Sequence, residues 1–252
     1  MDILDTYTYD RRQRRNTSCT LFFSLLPFFA SIAIYFYLWI PESAPSLLAA
    51  AVKSAPAISL ALMVLCNNGG RSLLGAAGGL LLSAGGDTCL IWSELFLQGM
   101  VSFALAHLLY SLCFLSSRYS SHSYSSSGIY ILYLLLWGIG GGSYVYLLPF
   151  LQKNSPEPSV FVPAVGCYAF LIVVMATLAA RTRNSWVFLG GIIFMASDLT
   201  LALQHFKAIE NLEYGRHIVM TTYYLAQLLI AVGDVKATLA EEADEFRKWK
   251  RS

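Results

Sequence analysis

Two aspartates, Asp87 and Asp198, lie inside long apolar stretches of the sequence. An aspartate at the centre of a membrane-spanning helix costs about 2.5 to 3.5 kcal/mol on insertion scales, and such residues usually have a function. Each aspartate could instead be a hydrogen-bonded packing contact that holds two helices together. The presence of two at similar depth favours chemistry over packing.

Two carboxyl groups that share a low-dielectric pocket cannot both ionise cheaply. One of them is expected to carry a proton while the other stays ionised, which supplies a proton donor and a proton acceptor. Acid–base hydrolysis needs this combination of groups. The sequence does not indicate which aspartate takes which role.

Lys53 is the one basic residue that falls inside a predicted apolar span, and Pro56 follows it closely. Its ammonium group could pair with an aspartate or bind the phosphate of a substrate. Alternatively, the side chain extends to the membrane interface, because it lies only about two turns into its helix. We interpret Lys53 as a substrate-binding residue.

Further polar side chains lie on the predicted fourth and eighth helices. His107 and Tyr110 are three residues apart and therefore share a helix face. A lone histidine in a membrane helix can also be a hydrogen-bonded contact between helices. The side chains that we expect to line or support the pocket are His107, Tyr110, Tyr223, Tyr224 and Gln227.

The sequence disfavours a metal site, because His122, His205 and His217 lie in predicted loops or at helix ends without ligand spacing such as HExxH. It contains no Walker loop, GxSxG motif or dinucleotide-binding fingerprint. The five cysteines are scattered without a CxxC pair and are expected to be packing residues. We predict no cofactor.

The composition is that of a membrane protein. The 252 residues are 56% hydrophobic and only 13% charged, with a mean hydropathy of +0.57, whereas soluble proteins are about 25% charged. We predict an all-α polytopic bundle of about eight transmembrane helices, each of about 20 residues. The predicted spans are 21–40, 47–66, 72–92, 96–115, 128–150, 160–180, 186–204 and 217–235.

The distribution of basic residues predicts the orientation. With eight spans both termini share one side, and that side holds most of the 17 Lys and Arg residues, whereas the other side holds Lys153, Lys207 and Arg216. The positive-inside bias therefore predicts cytosolic termini. We expect a basic leader at 1–20, a transmembrane domain at 21–235 and a polar tail at 236–252. The first apolar run is expected to be a retained helix rather than a cleaved signal peptide.

The two aspartate segments resemble each other. A pair of glycines precedes Asp87 at positions 78 and 79, and another precedes Asp198 at positions 190 and 191. Four spans separate the two segments, which suggests a parallel internal repeat of four plus four helices. Such a repeat would place both aspartates at similar depth.

Several segments together carry a family resemblance. They are YFYLWIPE at 35–42, SAGGDTCLIW at 83–92, FALAHLLY at 103–110, Ser197–Asp198 and MTTYYLAQLL at 220–229. These segments resemble the YhhN-like membrane family, which includes animal lysoplasmalogenases. The resemblance runs from the first predicted span through the eighth.

The resemblance implies hydrolysis of the vinyl ether bond of lysoplasmalogens, which yields a fatty aldehyde and glycerophosphocholine or glycerophosphoethanolamine. By position, the paired aspartates of the family fall on Asp87 and Asp198. The implied partners are a lysophospholipid substrate and the bilayer, which we expect to be that of the endoplasmic reticulum, with no nucleic acid. A homo-oligomer is compatible with the sequence.

Two other classes of function stay open at this stage. Paired carboxylates inside a membrane and an internal repeat are both common in proton-coupled transporters. A non-catalytic lipid-binding protein, in which the aspartates only order the bundle, is the other alternative. Release of aldehyde from a lysoplasmalogen would distinguish an enzyme from both.

Overall fold

The computed structural model describes residues 20–41, 43–119, 127–209 and 214–249. Within these residues the chain forms eight α-helices, three short 3-10 segments and no strand. The helices are α1 (Leu26–Leu38), α2 (Leu47–Asn68), α3 (Ala76–Cys89), α4 (Phe96–Phe114), α5 (Ser127–Asn154), α6 (Pro158–Arg181), α7 (Ser185–His205) and α8 (Gly215–Trp249).

Seven helical segments of the described chain are long enough and apolar enough to cross a membrane. They contain all of the helices except α3, and their mean hydropathies run from 1.5 to 2.3. A hydrocarbon core about 30 Å thick requires about 20 apolar residues in a helix. The prediction of an all-α polytopic membrane protein is therefore confirmed.

Local sequence signals set several helix ends. The Ser46 hydroxyl accepts a hydrogen bond from the Ala49 amide and caps α2, and the Asn184 side chain caps α7 in the same way. Pro158 begins α6, where its missing N–H costs nothing. At the other end of α1, Trp39 adopts left-handed backbone angles (φ 36°, ψ 51°) and ends the helix. These signals support the turns that bring successive helices together.

The third predicted span is a shorter helix than expected. A 3-10 segment, Gly69–Leu74, replaces its first part, and Gly75 has non-helical backbone angles (φ −152°, ψ −129°). The 14 residues of α3 extend only about 21 Å. The helix nevertheless runs along most of α4. Gly75 lies beside Cys113, near the end of α4, and Gly86 lies beside Phe103, in its first half.

Close packing of α3 against α4 positions Asp87. A Cβ atom at Gly86 would lie 2.5 Å from Cε2 of Phe103, and one at Gly79 would overlap the Tyr110 ring. The two aromatic rings therefore lie directly on the α3 backbone, as glycine permits in membrane helices. Asp87 follows Gly86 and is held at this contact.

Helix α8 extends beyond the predicted eighth span. It continues from the apolar region to Trp249, through a segment rich in alanine, glutamate and lysine, which favour helix formation. Most of the predicted tail is thus a continuation of α8, whereas the predicted leader at 1–20 lies outside the described residues except for Thr20. The structure does not establish the four-plus-four repeat, which stays a prediction.

A polar cluster, which we call the Asp234 cluster, ties α8 to the last turns of α2 and α4. Asp234 is completely buried. Its carboxylate accepts hydrogen bonds from Asn68 Nδ2 at 2.7 Å, Cys113 Sγ at 3.1 Å, Arg118 Nη1 at 3.2 Å and Tyr119 Oη at 2.9 Å. Asp234 is a third carboxylate in an apolar stretch and is not among the site residues predicted from the sequence.

The Asp234 cluster closes the end of the bundle that is remote from Asp87. Tyr119 lies beyond the end of α4, and its burial raises the pKa of its phenol well above the ordinary value, with the charge of Asp234 adding to the effect. The phenol therefore stays protonated and donates to the carboxylate. Along α8, Asp234 lies about three turns after Tyr223, the residue that contacts Asp87.

Candidate active site

A cavity of about 630 Å³, here called the polar cavity, lies at the opposite end of the bundle from Asp234. Its walls come from the segment after α1, the start of α2, the end of α3, the start of α4, the second half of α7 and the start of α8. Asp87 and Asp198 both line it, together with Lys53 and Tyr223. The structure therefore brings the two predicted aspartates to one cavity.

Asp87 is the more deeply buried of the pair, with 2% of its surface exposed. Tyr223 of α8 donates a hydrogen bond to its Oδ2 atom over 2.7 Å. The Tyr223 ring packs edge-to-face against Phe103 and Phe194, with centroid distances of 5.9 and 5.6 Å. These rings fix the direction from which the phenol reaches Asp87.

Asp198 is held by two side chains at one oxygen. The Tyr168 hydroxyl donates to Oδ2, and His107 Nε2 lies 3.2 Å from the same atom and 3.0 Å from the Tyr168 oxygen. The Asp198 side chain is 13% exposed, and no described residue bonds its Oδ1 atom. That second oxygen is available to a molecule in the cavity.

His107 is completely buried, and its Nδ1 atom has no hydrogen-bond partner among the described residues. A neutral imidazole with its proton on Nε2 is compatible with this arrangement, because the ring then donates towards Asp198 and leaves an acceptor at Nδ1. The histidine does not line the polar cavity. It lies behind Asp198 and orients that carboxylate.

Tyr168 of α6 is a candidate site residue that was not predicted from the sequence. It lies in the predicted span 160–180 among apolar residues. A buried tyrosine hydroxyl usually finds a hydrogen-bond partner, so a tyrosine in the middle of a span was the available signal. The identity of that partner, 30 residues away on α7, depends on the fold.

The other predicted pocket residues lie behind the wall of the cavity. Tyr110 donates to Gln227 Oε1 over 2.6 Å in a fully buried contact, and Tyr224 donates to the Lys53 carbonyl oxygen over 2.8 Å. None of these three aromatic and amide side chains lines the polar cavity. They connect α8 to α4 and α2 and thereby support the residues that do.

The rim of the polar cavity carries further polar groups that were not predicted as site residues. Arg216, at the start of α8, places its guanidinium 4.3 Å above the centre of the Trp39 ring and donates to the Ile40 carbonyl. His205, the last residue of α7, stacks on Phe96 with a centroid distance of 3.6 Å. Arg216 and Lys53 supply positive charge at the same cavity.

A second cavity of about 90 Å³, here called the apolar cavity, lies between α4, α5, α6 and α7. Its lining is apolar except for a few residues, which include Asp198 and Tyr168. The two cavities are adjacent because five residues line both of them. These residues are Leu90, Phe96, Phe103, Asp198 and Leu201.

No group of three or more His, Cys, Asp or Glu side chains in the described part of the chain could hold a metal ion. Four of the cysteines, Cys66, Cys89, Cys113 and Cys167, are free thiols. Cys19 lies outside the described residues. The polar cavity presents carboxyl, phenol and imidazole groups, together with the ammonium group of Lys53 and the guanidinium group of Arg216.

Comparison with known proteins identifies the family. Residues 48–233 match the model of the YhhN family. The chain belongs to the YhhN family. The YhhN region contains both aspartates and each side chain that bonds them, which are Tyr223, Tyr168 and His107.

Related proteins share most of their length with this YhhN protein. It is 37% identical over 217 residues to lysoplasmalogenase TMEM86B of Homo sapiens, covering 84% of this chain and 87% of the relative. It is 31% identical over 241 residues to lysoplasmalogenase TMEM86A of Homo sapiens, covering 90% and 93%. A lysoplasmalogenase of Mycobacterium bovis is 28% identical over 193 residues, covering 75% and 70%. No solved structure matches the chain.

Proposed function

We propose that this YhhN protein is a lysoplasmalogenase, which hydrolyses the vinyl ether bond of lysoplasmalogens to a fatty aldehyde and glycerophosphocholine or glycerophosphoethanolamine. The observation that carries the proposal is the pair of aspartates at one cavity inside an apolar bundle, each bonded by a tyrosine. The names of the relatives support the substrate class.

Asp87 is the proposed general acid. It accepts one hydrogen bond, at Oδ2, so Oδ1 is free to carry a proton towards the substrate. Transfer of that proton to the β-carbon of the vinyl ether converts the double bond into an oxocarbenium ion. The carboxylate left on Asp87 and the carboxylate of Asp198 both stabilise the positive charge.

Asp198 is the proposed general base. Hydrogen-bond donors stabilise a carboxylate, and Asp198 has two of them, whereas Asp87 has one. Its Oδ1 atom takes a proton from water as the water oxygen bonds to the α-carbon, which gives a hemiacetal. Cleavage of the C–O bond then releases the aldehyde, the hemiacetal proton passes to the departing glycerol oxygen, and the proton on Asp198 returns through solvent to Asp87.

The polar cavity is the proposed site of the glycerophospho head group. Lys53 and Arg216 both line it, and a phosphate is attracted by ammonium and guanidinium groups. Arg216 lies at the rim, at the start of α8, whereas the aspartates lie further into the bundle along α3 and α7. A head group at the rim would therefore direct the ether oxygen towards the aspartates.

The direct test is to measure fatty aldehyde release by the detergent-purified protein. A lysoplasmalogen is compared with a lysolipid in which a saturated ether replaces the vinyl ether, because only the former can be protonated to an oxocarbenium ion. We expect release from the vinyl ether alone. A folded protein that releases no aldehyde would overturn the proposal and favour the proton-coupled carrier.

Tyr168→Phe is expected to lower kcat by roughly 10- to 100-fold, since a hydrogen bond to a charged group is worth about 1.5 to 3 kcal/mol. The variant keeps the ring but removes the hydroxyl that donates to Asp198. Aldehyde release measured over a range of substrate concentrations separates kcat from KM, which should change little. Tyr146→Phe, a change at a half-exposed tyrosine of α5, is the matched control, and equal kcat values for the two variants would contradict the role of Tyr168.

We also propose that the protein resides in the endoplasmic reticulum with both termini in the cytosol. The distribution of basic residues supports the orientation of the termini. The polar cavity would then open towards the non-cytosolic side, because it lies at the end of the bundle where α2 and α8 begin. Protease treatment of intact microsomes is expected to remove a tag placed at either terminus. Protection of either tag would refute this orientation.

A further inference from the structure

The apolar cavity adjoins the polar cavity at Asp198. Its walls come from four helices, and residues such as Met100, Leu147 and Ile172 make them apolar. Asp198 lines both cavities. An amphiphilic molecule that occupied both would cross the carboxylate at the junction of its polar and apolar parts.

The apolar cavity borders α5, one of the two least enclosed spans of the described chain. Helix α5 packs chiefly against α6, and its span has only 17% of its residues buried. Ile139 lines the cavity and is half exposed, and a Cβ atom at Gly141 or Gly142 would meet no described atom within 4 Å. In a bilayer, this side of the cavity faces lipid chains.

The size of the apolar cavity limits what it can hold. About 90 Å³ is smaller than the roughly 150 Å³ of an engineered apolar cavity that binds benzene. That space fits only the first few carbons of an alkyl chain. A longer chain must leave the cavity, and the lipid-facing side beside Ile139 provides the exit.

We propose that the apolar cavity binds the first carbons of the substrate's alkenyl chain, while the rest of the chain lies in the bilayer beside α5. This inference rests on the proposed function, because it assigns the chain of the same substrate. The head group in the polar cavity and the chain in the apolar cavity together place the vinyl ether at Asp198. Ser143, Ala169 and Ala202, the small side chains that line the apolar cavity, determine which chains fit.

The test fills the apolar cavity without touching the aspartates. Ser143→Leu adds bulk at a lining position, and the Ser143 hydroxyl bonds only the Ile139 carbonyl of its own helix. Gly142→Leu adds a larger group at the adjacent position, which does not line the cavity and has open space around it. We expect kcat/KM for the lysoplasmalogen to fall roughly 10-fold or more in the first variant and to stay unchanged in the second.

A binding experiment separates this inference from the proposed function. The probe is a saturated 1-O-alkyl lysophospholipid with a photoreactive diazirine on the third carbon of its chain, and labelled peptides are identified by mass spectrometry. We expect labels on the segments of α5 and α6 that line the apolar cavity, reduced at least fivefold in Ser143→Leu and retained in Gly142→Leu.

The outcomes distinguish the two ideas. Labelling of α1 or α8 instead, or an absence of specific labelling, would overturn the chain site even if the protein hydrolyses lysoplasmalogens. Labelling of the cavity by a protein that releases no aldehyde would support the chain site and refute the hydrolase. Equal effects of the Ser143 and Gly142 changes on both readouts would overturn the chain site.

Discussion

Asp87→Asn is expected to lower kcat for aldehyde release by about 10²- to 10⁴-fold, the usual contribution of a general acid. The amide has the shape of the carboxyl group but cannot donate a proton to carbon. It can still accept the hydrogen bond from Tyr223 that Asp87 accepts at 2.7 Å, so the fold should persist. The measurement is initial-rate aldehyde release with purified protein, together with thermal unfolding of the same sample.

Two further variants serve as comparisons for Asp87→Asn. Glu242→Gln makes the same chemical change at an exposed position of α8 and should leave kcat unaltered. Asp198→Asn should lower kcat by a similar factor, because it removes the base. A folded Asp87→Asn protein with nearly normal kcat would exclude Asp87 as the acid. Collapse of its unfolding temperature would instead favour the reading in which the aspartate only orders the bundle.

Arg118→Met is expected to reduce the free energy of unfolding by about 3 to 5 kcal/mol, as observed when one partner of a buried ion pair is removed. The Asp234 side chain is 0% exposed and that of Arg118 is 13% exposed. The variant leaves the buried carboxylate without its cation, although Asn68 and Tyr119 still donate to it. Chemical unfolding in detergent followed by tryptophan fluorescence measures the loss.

The double change Arg118→Met with Asp234→Leu should recover part of the lost stability, because no buried charge remains. Arg181→Met, at an exposed arginine at the end of α6, is the matched single change and should cost little. If Arg118→Met were as stable as Arg181→Met, the ion pair of the Asp234 cluster would not contribute to the free energy of unfolding. Both outcomes are independent of the catalytic proposal.

The sequence predicts the helices well because spanning a membrane requires long apolar runs, which are visible without knowledge of the fold. The exception is the third span, where hydropathy continues through Gly75 but the backbone does not stay helical. Hydropathy measures solvent preference and not backbone geometry. The short helix α3 therefore had to come from the structure.

The sequence predicts those candidate site residues whose placement inside a membrane costs free energy. Asp87 and Asp198 stand out because a carboxylate inside a membrane is costly and usually has a function. The structure brings both of them to one cavity. Tyr168 does not stand out, because a tyrosine in an apolar span is inexpensive until its partner is known. Arg216 lies just before the predicted start of the last span and reads as a loop residue, yet it lines the cavity.

Asp234 illustrates a different limit. It lies at the end of the predicted eighth span, beside the polar tail, where a charged residue normally meets water. Its complete burial results from Arg118 and Tyr119, which follow α4 and fold back onto it. That contact joins positions 116 and 115 residues apart, so only the tertiary structure discloses it.

Helix α8 contributes a side chain to two separate groups of polar contacts. Tyr223 donates to Asp87, and Asp234 accepts from Arg118 in the Asp234 cluster. About three helical turns separate the two positions, so both side chains project from one side of the helix. Inserting or deleting a single residue between them would rotate one cluster by about 100° relative to the other. Because both side chains must project from the same side of α8, we expect the segment 224–233 to tolerate no change in length. Insertions after position 241 should be tolerated.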